Sequence, residues 1–119
     1  KLANFCFEES GEGVAAVDFQ YVGGGVGVKD VAYFVGSCLD ESELEGWTPD
    51  LLDHYFSCLE KHICHHADIP SDDLCASWRA LYPAAWVDFH RFFKGWSPGS
   101  RFSESSYSER MTRELLASL

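Results

Sequence analysis

Two short apolar runs flank a polar, glycine-bearing pentapeptide at the start of the chain, and this arrangement constrains the fold more than any other feature. Lys1 to Phe7 (KLANFCF) and Val14 to Phe19 (VAAVDF) both read as strands. Glu9-Ser10-Gly11-Glu12-Gly13 between them has the composition that joins hairpin strands. A four-residue loop at Ser10–Gly13 sets Glu9 against Val14. Asn4 then stands opposite Phe19 and diagonal to Asp18, so one amide oxygen and one carboxylate meet at the same end of a two-stranded ribbon. Hard oxygen donors of that kind suit Mg²⁺. The apolar run before Asp18 and the Phe after it place this carboxylate at the end of a buried strand, where it is costly without a cation or hydrogen bonds.

Beyond the ribbon the pattern is helical. Lys29 to Leu39 carries Val31, Phe34, Val35 and Cys38 on one stripe, with Asp30 in its first turn. Asp40 to Gly46 (DESELEG) reads as an acidic connector. Trp47-Thr48-Pro49-Asp50 reads as a helix start, Thr48 capping and Pro49 in the first helical position. That helix runs to about His65, with Leu51, Leu52, Tyr55, Phe56, Leu59 and Ile63 on its core side, and His66 to Pro70 breaks it. Ser71 caps a further helix through Trp78 and Leu81 to Tyr82, which Pro83 either ends or kinks into Ala84–Phe93. Gly95 to Ser100 is turn-rich, and Ser108 to Leu119 closes the chain as a helix around Met111, Leu115 and Leu116. The expected class is α+β: one hairpin followed by about four or five helices in a single domain spanning 1–119.

Lys1-x-x-Asn4, a hairpin and Val17-Asp18-Phe19 resemble the tail of a kinase catalytic loop followed by its metal-binding Asp-Phe element. With Gly23-Gly24-Gly25 and Lys29-Asp30-Val31-Ala32, the first 40 or so residues are similar to the aminoglycoside phosphotransferase and choline kinase-like superfamily. The resemblance implies the C-terminal portion of a protein-kinase-like lobe and an ATP- and Mg²⁺-dependent transfer to a hydroxyl of a small molecule. It assigns Asp18 and Asn4 to the metals, Lys1 to the transferred phosphate, and Asp30 to bracing the catalytic loop from the start of a helix. It also implies a catalytic Asp and a nucleotide-binding N-terminal lobe ahead of Lys1, so the chain reads as a piece of a longer polypeptide that does not turn over alone. Eleven residues between Asp18 and Asp30 leave no room for an activation segment, and Gln20 replaces the Gly of Asp-Phe-Gly; both favour a small-molecule kinase over a protein kinase. The glycines at 23, 24, 25 and 27 lack the Lys-Ser/Thr of a Walker loop and read as a turn.

The net charge of −10 argues against nucleic acid, whose binding needs clustered Lys and Arg, and is compatible with a cationic acceptor. Trp47, Tyr55, Trp78, Trp86 and Trp96 with Asp50, Asp53 or Asp88 are candidates for an aromatic and acidic pocket around such a head group, against the plainer reading as core. No run reaches the length of a membrane span. The five cysteines (Cys6, Cys38, Cys58, Cys64 and Cys75) read as free, buried thiols of a reducing, cytoplasmic setting. His54, Cys58 and His62 share one helical face near Cys64, His65 and His66, but no Cys-x-x-Cys pair accompanies them. A non-catalytic helical binding module, a kinase-like remnant or a zinc-stabilised one, is the alternative to the enzyme.

Overall fold

In a computed structural model, residues 1–63, 70–99 and 105–119 are described. A single 3₁₀ turn, Leu2–Asn4, leads into an antiparallel hairpin of β1 (Phe5–Phe7) and β2 (Val14–Ala16). The register differs from the expected one. Phe7, not Glu9, faces Val14, and the four-residue loop is Glu9–Glu12, closed by a hydrogen bond from the Glu8 amide to the Gly13 carbonyl at 3.0 Å. The reason lies at Gly11, whose φ of 75° is the left-handed conformation that closes the turn begun at Glu8. A shift of two residues keeps every side chain on its face, so Asn4 and Asp18 still share one end of the ribbon.

The ribbon is not buried. Val14, Val17 and Phe19 are each about half or more exposed, and all of β2 faces solvent. A two-stranded sheet covers neither face by itself, and here Phe5 reaches the helical body, edge-on to Phe34 with ring centroids 5.1 Å apart. The radius of gyration, 15.4 Å, exceeds the roughly 13.5 Å of a compact chain of this length, as a projecting ribbon requires.

Five helices follow among the described residues: α1 (Val28–Cys38), α2 (Glu41–Ile63), α3 (Ser71–Ala80), α4 (Tyr82–Trp96) and α5 (Ser106–Ala117). On α1, Val28, Ala32, Val35 and Gly36 are buried, while Val31, Phe34 and Cys38 are half-buried. A Cβ placed on Gly36 would come within 2.3 Å of the Phe89 ring, so the absent side chain sets how closely α1 and α4 approach.

The acidic stretch from Glu41 is the first two turns of α2, not a connector, and Thr48 and Pro49 lie inside that helix. Leu44, Thr48, Leu52 and Phe56, spaced by four, form one buried stripe that runs through the proline. Packing along that stripe outweighs the hydrogen bond Pro49 cannot donate. Asp40 and Glu43 begin the helix, the Asp40 amide donating to the Glu43 carboxylate at 2.8 Å as in a capping box. The Thr48 hydroxyl is buried beside Tyr82 with no partner in hydrogen-bond geometry.

Ser71 is the first residue of α3, entered from Pro70, and its hydroxyl donates to Asp72 instead of capping. The chain breaks at Leu81, before the proline: Pro83 falls in the first turn of α4, where amides have no helical acceptor. The expected breaker His66–Ile69 lies outside the described residues. α4 extends to Trp96, and α5 begins two residues earlier than expected, because Ser105 accepts from the Ser108 amide at 3.0 Å.

Trp86 is the centre of the core, 1% exposed, with Tyr82, Phe89 and Tyr107 around its ring and its indole N–H donating to Ser108 Oγ at 2.9 Å. α5 is tied to α2 twice. Glu41 accepts from Ser105 Oγ at 2.6 Å, Ser106 Oγ at 2.9 Å and the Tyr107 amide at 2.9 Å. Arg110 grips Glu45 with two parallel bonds of 2.9 and 2.8 Å. Cys75 is buried, whereas Cys6 is exposed and Cys38 and Cys58 are half-buried, so most of the described thiols are less shielded than expected. Among the described residues no helix is long and apolar enough to cross a membrane.

Two outcomes follow from these contacts. Gly36→Val drives a side chain into the Phe89 ring and should lower stability by about 1–3 kcal/mol in urea unfolding. At Glu41, desolvation pushes the carboxyl pKa up, but the bonds from Ser105, Tyr107 and Ser106 together outweigh it and hold the group below its ordinary 4.5. Its contribution is therefore present above that value and lost as pH falls through the lowered folded value. Glu41→Ala should cost about 1 kcal/mol at neutral pH, and the difference from the native chain should vanish in acid.

Candidate functional site

Asp18 lies just beyond β2 and has a φ of 69°, the one non-glycine residue among those described with a positive φ. A left-handed conformation is uncommon for a residue with a Cβ, though Asp and Asn are the types that tolerate it best. What holds it there is a grip on both carboxylate oxygens. Asn4 Nδ2 donates to Oδ2 at 2.8 Å across the ribbon, and Gln20 Nε2 donates to Oδ1 from two residues further on.

The turn behind Asn4 is fixed in its own right. The Asn4 amide donates to the Lys1 carbonyl at 2.9 Å, and its carbonyl accepts from Val17 at 2.9 Å. The ribbon's hydrogen-bond ladder therefore continues one pair past the strands and ends at the Asp18 carboxylate.

The bond from Asn4, then that from Gln20, and then the nearby Lys1 charge hold the Asp18 carboxyl below its ordinary 3.8 despite a small opposing desolvation. The carboxylate is solvent-exposed. It is thus ionised throughout the neutral range and reachable from solvent. Exposure also corrects the expectation of a costly buried acid: what stabilises the anion here is a pair of amide donors.

The donor set fits a hard cation of modest demand. Mg²⁺ keeps several waters and commonly takes one or two protein oxygens besides phosphate. Asp18 offers a carboxylate and Asn4 an amide, and a half-turn of that amide about its last bond exchanges its N–H₂ for its oxygen. Lys1 brings a positive charge to the same end.

Asp30 stands apart. It lies in the first turn of α1, exposed, with its backbone amide on the Gly27 carbonyl and its side chain in a shallow hollow with Tyr33 and Asp88. Among the described residues its carboxylate makes no hydrogen bond to the Lys1–Asn4 turn.

The proposed aromatic and acidic pocket is dispersed. Trp86 is core; Tyr55 and Trp78 close over Gly27; Trp47 is exposed on α2; and Trp96 is exposed at the end of α4. Asp53 pairs with Arg79, and Asp88 with Lys29 and Arg91. The histidine face of α2 is not assembled as a metal centre. His62 Nδ1 is turned onto the Cys58 carbonyl at 2.7 Å, Cys58 Sγ lies 3.6 Å from His54 Nε2, and no three metal-binding side chains converge among the described residues. Cys64, His65 and His66 lie outside the described residues.

Gln20 is the member that sequence reasoning assigned no role. Its only signal is spacing: an amide two residues after an acid can turn back onto it. No family model, no curated protein and no solved structure matches this chain.

Nuclear magnetic resonance titration should find the Asp18 carboxyl below 3.8. Asn4→Ala should raise it more than Gln20→Ala does. Asp18→Gly should relieve the backbone and cost little stability, whereas Asp18→Ala, keeping a Cβ at positive φ, should cost about 1 kcal/mol more than the glycine.

Proposed function

We propose that this chain is the C-terminal part of a kinase-like lobe in an ATP- and Mg²⁺-dependent phosphotransferase that acts on a hydroxyl of a small molecule. The observation that carries the proposal is the Asn4–Asp18 contact across the ribbon, 2.8 Å, on an aspartate held at positive φ. Backbone strain at an exposed, ionised side chain favours a role beyond packing, because packing gains nothing from it. On this reading Asp18 and Asn4 supply the protein oxygens for Mg²⁺, which when bound neutralises phosphate charge. Lys1 meets the transferred phosphoryl group, and Asp30, in the first turn of α1, braces the catalytic loop. The catalytic base and the nucleotide-binding lobe belong to a segment ahead of Lys1 in the same protein.

A second reading has its own observation. Both Asp18 oxygens are already engaged by amide donors, so the trio can equally be a self-contained lock on the ribbon's end, in a non-catalytic helical module. Mn²⁺, a paramagnetic stand-in for Mg²⁺, separates the two. Under the enzyme reading it broadens the Asn4, Asp18 and Gln20 signals first, and Asp18→Asn removes the effect. Broadening that instead begins in the Glu8–Glu12 loop, or none at all, favours the lock. In the full gene product with ATP, Mg²⁺ and a panel of hydroxyl acceptors, Asp18→Ala should lower turnover by about a thousandfold or more while leaving the circular dichroism spectrum unchanged.

A further inference from the structure

A cleft of about 550 Å³ opens between the Leu2–Asn4 turn, with Lys1 before it, and the C-terminal halves of α1 and α4. Tyr33 and Ser37, four apart on α1, form one wall, and Phe93 and Trp96, three apart on α4, form the other. Lys1 closes one end. The volume and lining are those of a small-molecule site: mostly apolar, with aromatic walls and a few polar groups.

Trp96 is the informative residue. It is 72% exposed, yet its ring is not loose on the surface. It lies nearly parallel to Phe92, 10° between planes with centroids 6.4 Å apart, and meets Phe93 edge-on at 5.9 Å. An exposed indole braced by two phenyl rings is a flat platform held in place before any ligand arrives, which reduces the ordering cost of binding.

The charge of the cleft bears on the ligand class. Among the described residues no Asp or Glu lines it, whereas Lys1 does. An aromatic wall alone attracts cations, but the Lys1 charge in the lining opposes them and Asp18, outside the lining, offsets it only in part. The expected cationic acceptor does not suit this cleft.

Resting on the phosphotransferase reading, the geometry points to this cleft as the seat of the acceptor, a planar ring that is uncharged or anionic and carries the hydroxyl to be phosphorylated. Lys1 links the two halves of the site. It lines the cleft, its carbonyl anchors the Asn4 amide, and its charge acts on the Asp18 carboxylate. A hydroxyl at the Lys1 end of a ring stacked on Trp96 is thereby brought to the side of the turn that bears the Asn4–Asp18 pair. Ser37, whose hydroxyl donates to the Phe34 carbonyl at 2.9 Å, offers its remaining lone pair to a ring substituent.

Three probes of one shape test this: β-naphthol, β-naphthalenesulfonate and the trimethyl-β-naphthylammonium cation. Binding is read from the Trp96 indole N–H signal, with the indole of Trp86, locked to Ser108, as an internal control. The neutral and anionic probes should shift Trp96 saturably and leave Trp86 still, the cation should bind several-fold more weakly, and Lys1→Gln should erase that preference. Tyr33→Ala should weaken β-naphthol roughly tenfold. Equal or tighter binding of the cation, shifts that begin on the hairpin, or no saturable shift at Trp96 each overturn the inference. If the ring probes seat at Trp96 and Mn²⁺ fails to broaden Asp18, the ring site stands while its role as an acceptor site falls with the phosphotransferase reading. If Mn²⁺ broadens Asp18 and no ring seats at Trp96, the metal end stands and this inference falls.

Discussion

The indole of Trp86 is the contact on which the helical body depends, because its N–H needs a partner in a dry interior and finds it in Ser108, 2.9 Å away on α5. An indole N–H left unpaired there would cost about 1–3 kcal/mol, so α4 and α5 are joined in one register. The same ring touches Tyr82 and Phe89 on its own helix and Tyr107 across the interface, and Phe89 in turn occupies the space that Gly36 leaves on α1. Three helices are thus located by one side chain and its immediate neighbours. α2 joins through Glu41, which caps α5, and through the Arg110–Glu45 pair.

This body gives the ribbon a place to stand and the cleft its walls. α1 carries Phe34 toward β1 and turns Tyr33 and Ser37 toward the cleft, so one helix serves both. The Leu2–Asn4 turn lies between. Its Asn4 meets the aspartate and Lys1, just before it, lines the cleft, which makes these few residues the shared border of the two proposed halves of the site.

What the sequence made legible depended on the range of the forces involved. The pairing of Asn4 with Asp18 could be read because strand alternation is local, and a register error of two leaves faces intact. The shift of two follows from Gly11, whose positive φ closes the loop and which composition alone does not single out from Gly13. Thr48-Pro49 looked like a helix start because its local signal is strong. The buried stripe from Leu44 to Phe56 overrode it, and that stripe is visible only once Leu44 is counted as core. The start signal that acts is Asp40-x-x-Glu43, which an acidic run conceals. Burial of β2 was expected from its apolar composition, yet composition does not say whether anything covers a strand. The aromatic wall of the cleft joins residues about sixty apart, which no local pattern reports.

Among the described residues the ribbon meets the helical body through the Phe5–Phe34 ring pair and one short turn, whereas the helices hold one another through the Trp86 cluster. Its opening is therefore a local event, with a free energy of its own that is smaller than that of the whole domain. Amide exchange in Phe5–Phe7 follows that local equilibrium, while exchange in α4 follows global unfolding. A ligand bridging Asn4 and Asp18 binds only the closed ribbon, so it adds the same free energy against local opening and against global unfolding. The proportionate gain is larger where the starting stability is smaller, which is in the ribbon. Occupancy at this end of the molecule is therefore written most visibly in the protection of a handful of ribbon amides.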